Sequence, residues 1–261
     1  MDLLITAIVF FIIFFAIILG IINSRVGIIP QALTELKVDK LIVQQFAAPV
    51  TAVVLVSVIY FWYVPGMQAA GDIIDGFRSQ DPQERLEAFQ RAVARDSFAT
   101  QEITEQLGQQ AMNIARNSEV PEELRAEFAD IAERELLNLI EEKPNDARIH
   151  VFAGSFYRAT NQAELAREQF AIAQELSPEK QAIIIQQGFV ELGLGEYDAA
   201  AKFFRQAFEL DEQNREAREY YAGSLFYAND PETAIALMDS EETKRRFAGR
   251  DFIIGAANQA G

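Results

Sequence analysis

The sequence has no cysteine, and His150 is the single histidine among its 261 residues. Without cysteine there is no disulfide, no thiolate nucleophile and no Cys-ligated zinc or iron–sulfur site. One histidine excludes a multi-His metal site, and a Ser-His-Asp triad anywhere except around His150. At that position we expect a side chain filling core space rather than a general base. Basic residues are also scarce: 23 Lys and Arg against 39 Asp and Glu, a net charge of −16. In residues 1–65, Arg25, Lys37 and Lys40 balance Asp2, Glu35 and Asp39, so the whole deficit falls on residues 66–261. A phosphate backbone needs dense Lys and Arg, which argues against nucleic acid, and against anionic headgroups, as partners of that part. No phosphate loop, HExxH, GxSxG or EF-hand spacing occurs. Glu122-Glu123, Glu141-Glu142 and Glu241-Glu242 are adjacent on helical stretches and do not face each other, so they are solvated surfaces rather than paired acids. Lys244-Arg245-Arg246, the one basic cluster, is too short for a nucleic-acid surface and suits a helix face. No catalytic residue, metal or cofactor is expected.

Long apolar runs, by contrast, are present. Residues 3–22 read LLITAIVFFIIFFAIILGII, twenty residues without a charge. At ~1.5 Å per residue such a helix crosses the ~30 Å hydrocarbon layer. Asp2 in place of a basic leader and the lack of an A-x-A site favour a permanent anchor over a cleaved signal. Residues 46–64 form a second uncharged run with Pro49 in its first turn and an aromatic belt, Tyr60-Phe61-Trp62-Tyr63, at its end. Pro65-Gly66 is expected to stop that helix. A buried soluble hairpin is the competing reading, but uncharged runs of this length are rare in soluble cores. The connector carries Arg25, Lys37 and Lys40, while the fifteen residues after the second run carry only Arg78, which puts the connector in the cytoplasm and the acidic part outside. Apolar residues of the connector, from Ile28 to Ile42, recur at roughly helical spacing and suggest a short amphipathic link.

From residue 66 onward the periodicity is helical, and no alternating run suggests a sheet. Self-similarity appears at an offset of 34. Gly154, Ala166, Phe170, Ala173 and Leu176 are followed by Gly188, Ala200, Phe204, Ala207 and Leu210. That is the period of the tetratricopeptide repeat. Residues 147–180 and 181–214 resemble two such repeats; His150 stands where Trp is usual, and Glu191 and Glu212 replace the Tyr and Pro of the second. Ala222-Gly223-Ser224 repeats Ala153-Gly154-Ser155 at an offset of 69, which suggests one residue inserted near 211–214 and one removed at 229–231. Ala132, Leu136, Leu139 and Pro144 lie 34 before their counterparts and mark a divergent unit, and Leu86, Ala88, Phe89 and Ala92 a still earlier one. Residues 251–261 look like a first helix that either caps the stack or begins a further unit.

The expected architecture is therefore all-α: two transmembrane helices, then an α-solenoid of tetratricopeptide-like hairpins. The divisions are 1–65 (spans about 3–22 and 46–64), 66–146 for divergent hairpins and 147–261 for the repeats. A stack of this kind binds a protein or peptide on the face lined by each hairpin's first helix. By helical phase the candidate groove residues are Arg148, Val151, Ser155 and Arg158 in one repeat and Ile185, Phe189 and Leu192 in the next. Two guanidinium groups beside an apolar strip suit a segment with a carboxylate and a bulky apolar side chain. Ile185, Phe189 and Leu192 fit packing against the next hairpin equally well. Membrane lipid around the two spans and a second copy of the chain are further candidate partners.

Residues 60–107 run from YFWYVPGMQAAGDIIDGFRSQDPQERLEAFQRAVARD to SFATQEITEQL. A last span, a short helix, an ERLEAFQRAV helix and an SFATQEITEQL helix resemble the C-terminal third of those bacterial O-antigen ligase family proteins that end in tetratricopeptide repeats. The stretch DARIHVFAGSFYRATNQAELAREQFAIAQELSPEKQ is similar to their first full repeat. The resemblance implies a bacterial cell-membrane setting in which lipid-linked polysaccharide is polymerised or transferred. It carries no catalytic residue over: that family has about ten or more spans and an external loop with essential Arg and His, whereas this sequence has two apolar runs and its one His in the repeats. The chain is then either a separate scaffold or the non-catalytic tail of such an enzyme.

Overall fold

The computed structural model describes residues 48–238 and, before them, Gln45. The first apolar run, the connector, the basic cluster at 244–246 and residues 251–261 lie outside the described residues. Those described form ten α-helices and no strand. They are α1 (Ala48–Arg78), α2 (Pro82–Val93), α3 (Thr100–Ala115), α4 (Glu122–Glu142), α5 (Ala147–Ala159), α6 (Ala163–Leu176), α7 (Gln181–Leu194), α8 (Tyr197–Leu210), α9 (Arg215–Tyr227) and α10 (Pro231–Leu237). They divide into two compact units: the described residues up to Gln80 with Glu87–Thr100, and Asp81–Leu86 with Gln101 onward.

In the first unit α1 runs for 31 residues, straight through Pro65. The expected stop at Pro65-Gly66 is not there. Proline removes one N–H and opposes the carbonyl four residues back, which costs about 3 kcal/mol in a helix interior. Packing beyond Pro65 offsets that cost. Asp72 accepts from Arg95 Nε at 2.7 Å and from Arg91 Nε at 3.4 Å. Gln68 Oε1 accepts from Arg95 Nη1 at 2.7 Å, and Phe77 meets Phe89 edge-on at 5.6 Å. The proline alone predicts a stop; Phe89, Arg91 and Arg95, distant from it in sequence, override that. Among the described residues α1, over Pro49–Arg78, is the one helix long and apolar enough to cross a membrane, and 6% of its most apolar window is buried.

The second unit is a solenoid with three antiparallel hairpins, α5 with α6, α7 with α8, and α9 with α10, and α4 packs on α5 ahead of them. Each later hairpin packs on its predecessor through its first helix, α7 on α6 and α9 on α8. The period is 34 throughout. Asp146, Lys180 and Asn214 hold the N-cap positions of α5, α7 and α9. Asp146 Oδ1 accepts from the Arg148 amide at 2.9 Å, and Asn214 Oδ1 from those of Glu216 and Ala217. The turn inside each hairpin uses a left-handed residue, Asn161 (φ 63°), Gly195 (φ 78°) and Asn229 (φ 59°), residue types that tolerate it. One amide closes each turn: Gln162 to Tyr157 O, Glu196 to Glu191 O and Asp230 to Leu225 O. The insertion and deletion expected in the last unit are therefore absent. The Ala-Gly-Ser match at 222–224 is one place out of structural register.

Close approach explains the small residues. A Cβ on Gly154 would stand 2.9 Å from Phe170 Cδ1, and one on Gly188 2.7 Å from Phe204 Cε1. Ala166, Ala200 and Ala234 are fully buried at the matching place on each second helix. On α4 Ala132, Leu136 and Leu139 are buried, as their offset of 34 requires.

Candidate functional site

Between α5 and α7 lies a pocket of about 580 Å³. One wall carries Arg148, Val151 and Ser155 from α5; the other carries Lys180, Ile183 and Gln186 from α7 and the residue before it. Val151 and Ile183 supply apolar contact. Arg148 and Lys180 supply exposed cations, Arg148 also standing 3.6 Å from Glu105 on α3. Ser155 Oγ donates to Val151 O at 2.8 Å, so its hydrogen is already used. Gln186 Oε1 is buried and meets no donor. A buried carbonyl oxygen without a partner costs roughly 1–3 kcal/mol.

Of the seven residues expected to line a groove, Arg148, Val151 and Ser155 come together here. The others do not join them. Arg158, at the far end of the same helix, has its pKa lowered by loss of hydration and by the neighbouring Arg116 guanidinium. Ile185 packs against Ile184, Ala207 and Ala217. Phe189 meets Phe204 at 5.3 Å and Tyr220 at 4.8 Å, both edge-on. Leu192 is half-buried. The reason is geometric. Ile185 and Phe189, 34 residues after Val151 and Ser155, pack into the next interface instead. The partners of positions 148, 151 and 155 are 182, 183 and 186 on α7, whereas Phe189 faces the next gap, toward α9. Lys180, Ile183 and Gln186 are lining residues that helical phase alone does not indicate, because it leaves open which flank of α7 meets α5.

His150 is a core residue. It is buried, with Nδ1 2.8 Å from Gln169 Oε1 and Nε2 2.9 Å from Pro144 O. Both nitrogens are engaged, which leaves none for a substrate.

The junctions between hairpins differ in chemistry at one repeated place. Tyr157 is buried on α5 and donates to Glu133 on α4; burial, then that carboxylate, pushes its pKa up to about 12. Thirty-four residues on, Glu191 on α7 replaces the tyrosine and Arg167 on α6 replaces Glu133. The guanidinium donates twice, at 2.8 and 2.7 Å, to a carboxylate that is 7% exposed, and this raises the Arg167 pKa. At the third junction Leu225 and Ala201 share one apolar cluster. The departure at Glu191 is thus a change made on both sides of one interface.

A family described as Tetratricopeptide repeat matches residues 183–214. No curated protein matches the chain. Among solved structures, MamA protein superposes with a TM-score of 0.51 at 15% identity, covering 70% of this chain and 95% of its own. A tetratricopeptide repeat protein from Parabacteroides merdae ATCC 43184 superposes with a TM-score of 0.56 at 14% identity, covering 74% and 72%. These likenesses show the fold: an all-α tetratricopeptide solenoid.

Proposed function

We propose that the chain is a membrane-anchored tetratricopeptide scaffold that holds a protein partner by a short peptide segment between α5 and α7. The observation that carries this reading is the pocket itself. Two exposed cations, Arg148 and Lys180, line it with the apolar Val151 and Ile183, and Asp146 stands among them with one carboxylate oxygen engaged by the Arg148 amide. A segment with an acidic side chain or C-terminal carboxylate and a bulky apolar neighbour suits the two cations and the apolar pair. The anchor is supported by α1. A core helix of a soluble protein is mostly buried, whereas the apolar window of α1 is bare and ends in the Tyr60–Tyr63 belt. The resemblance of residues 60–107 to O-antigen ligase family proteins supports a setting in cell-envelope polysaccharide assembly, and the three basic connector residues support repeats outside the cytoplasm.

Fluorescence anisotropy against a library of apolar peptides ending in a carboxylate or an amide tests the pocket. The expected result is binding of carboxylate-ended peptides that weakens at least tenfold in Arg148→Glu/Lys180→Glu with helix content unchanged. Equal binding by that variant contradicts the reading. Protease protection in sealed vesicles tests the orientation: cleavage of the acidic domain from the cytoplasmic side alone would overturn it.

A further inference from the structure

The turn between α2 and α3 has an uncommon backbone conformation and carries an exposed aromatic ring. Asp96 adopts φ 41°, in the left-handed region that non-glycine residues seldom enter. Thr100 closes the turn on the far side, its amide and hydroxyl both donating to Ser97 O. Arg95, one residue before Asp96, is tied to α1 through Asp72 and Gln68. The exposed ring is Phe98. It lies over Gly66, where any Cβ would overlap it, and stands edge-on to Tyr63 at 6.2 Å. Despite that seat it remains 59% exposed, beside the exposed Tyr60, Phe61, Tyr63 and Met67. All these residues belong to the first unit.

The level of the ring along α1 is informative. Gly66 is two residues, ~3 Å of helix rise, past the end of the uncharged run at Val64. The first charge on α1 after that run is Asp72, ~12 Å past Val64. The polar zone of a bilayer adds roughly 5–7 Å on each side of the hydrocarbon layer. With α1 as a span, this level puts Phe98 at headgroup depth and Asp72 with its two arginines in water.

We propose that residues 94–99 form a second, non-spanning membrane contact, in which Phe98 inserts at headgroup depth beside the Tyr60–Tyr63 belt and holds the end of α2 against the bilayer surface. The inference rests on the reading of α1 as a span. Its partner is the lipid interface and not a protein. The patch is continuous with the apolar run of α1, and it carries the aromatic side chains that favour that zone.

The test uses the full chain in neutral phosphatidylcholine vesicles, with bromine placed either near the headgroups or at the chain ends. Trp62 is the single tryptophan, so its quenching reports α1 alone. The variant Trp62→Phe/Phe98→Trp moves the reporter to the turn. The expected result is that Trp62 is quenched in the native chain and that the tryptophan at 98 is quenched by the shallow bromines more than by the deep ones. Quenching of Trp62 with none at position 98 overturns the contact and leaves the span standing. No quenching of Trp62 overturns both. Should the larger ring disturb the turn, Ser97→Cys bearing an environment-sensitive dye reads the same depth with Phe98 intact, since the chain has no other cysteine. Dye emission that vesicles leave unchanged overturns the contact.

Discussion

One position in each junction carries a different pair of side chains. Glu133 with Tyr157, Arg167 with Glu191, and Ala201 with Leu225 occupy the same place in successive interfaces. Arg167→Glu alone sets two carboxylates against each other, one of them buried. A loss of about 1–3 kcal/mol is expected in denaturant titration, discounted from a fully buried pair because Arg167 is partly exposed. Adding Glu191→Tyr rebuilds the Glu–Tyr pair of the previous junction and should recover most of that loss; a double variant no more stable than the single one would refute the pairing. Tyr157 gives a pH test. Its folded pKa is raised from 10 to about 12, so its contribution is fully present below pH 10 and is lost as pH rises toward 12. Tyr157→Phe should flatten the fall of stability across that window in melts taken at stepped pH. The residue-scale core was legible: Gly154, Ala166, Phe170 and Ala173 are all buried where the repeat pattern puts them. Gly154→Leu, driven into the Phe170 ring, should cost ~1–3 kcal/mol in a thermal melt. The meaning of Glu191 was not legible, because its partner lies 24 residues away on the neighbouring hairpin.

Helix ends, more than helix faces, carry the period of 34. The caps at Asp146, Lys180 and Asn214 and the left-handed residues at Asn161, Gly195 and Asn229 keep strict register where side-chain identity drifts. The drifting Ala-Gly-Ser triplet suggests a slip that the backbone does not make. At the left-handed position a Cβ is the penalty, so Gly195→Ala should destabilise by about 1 kcal/mol, while Asn161→Gly should be near neutral. Chemical denaturation of both variants checks this, and equal effects would contradict the turn geometry. Pro65 taught the reverse lesson. A local breaker was overruled by Asp72, Gln68 and Phe77, contacts that no window around residue 65 contains.

At the level of the whole molecule the sequence told the class of architecture plainly, because a hairpin that cannot bury its own apolar face must stack and therefore must repeat. The groove was half legible. Helical phase found the α5 wall, but a cleft belongs to two helices at once, and the phase of the second is set by their packing. Site-specific photo-crosslinking tests the central claim most directly, with a photoreactive residue placed at Gln186 in the pocket or at Leu165, exposed on α6, as the control. A bound apolar peptide with a carboxylate end should crosslink from position 186 and not from 165. Crosslinking from 165 alone, or equally from both, would contradict a binding cleft between α5 and α7.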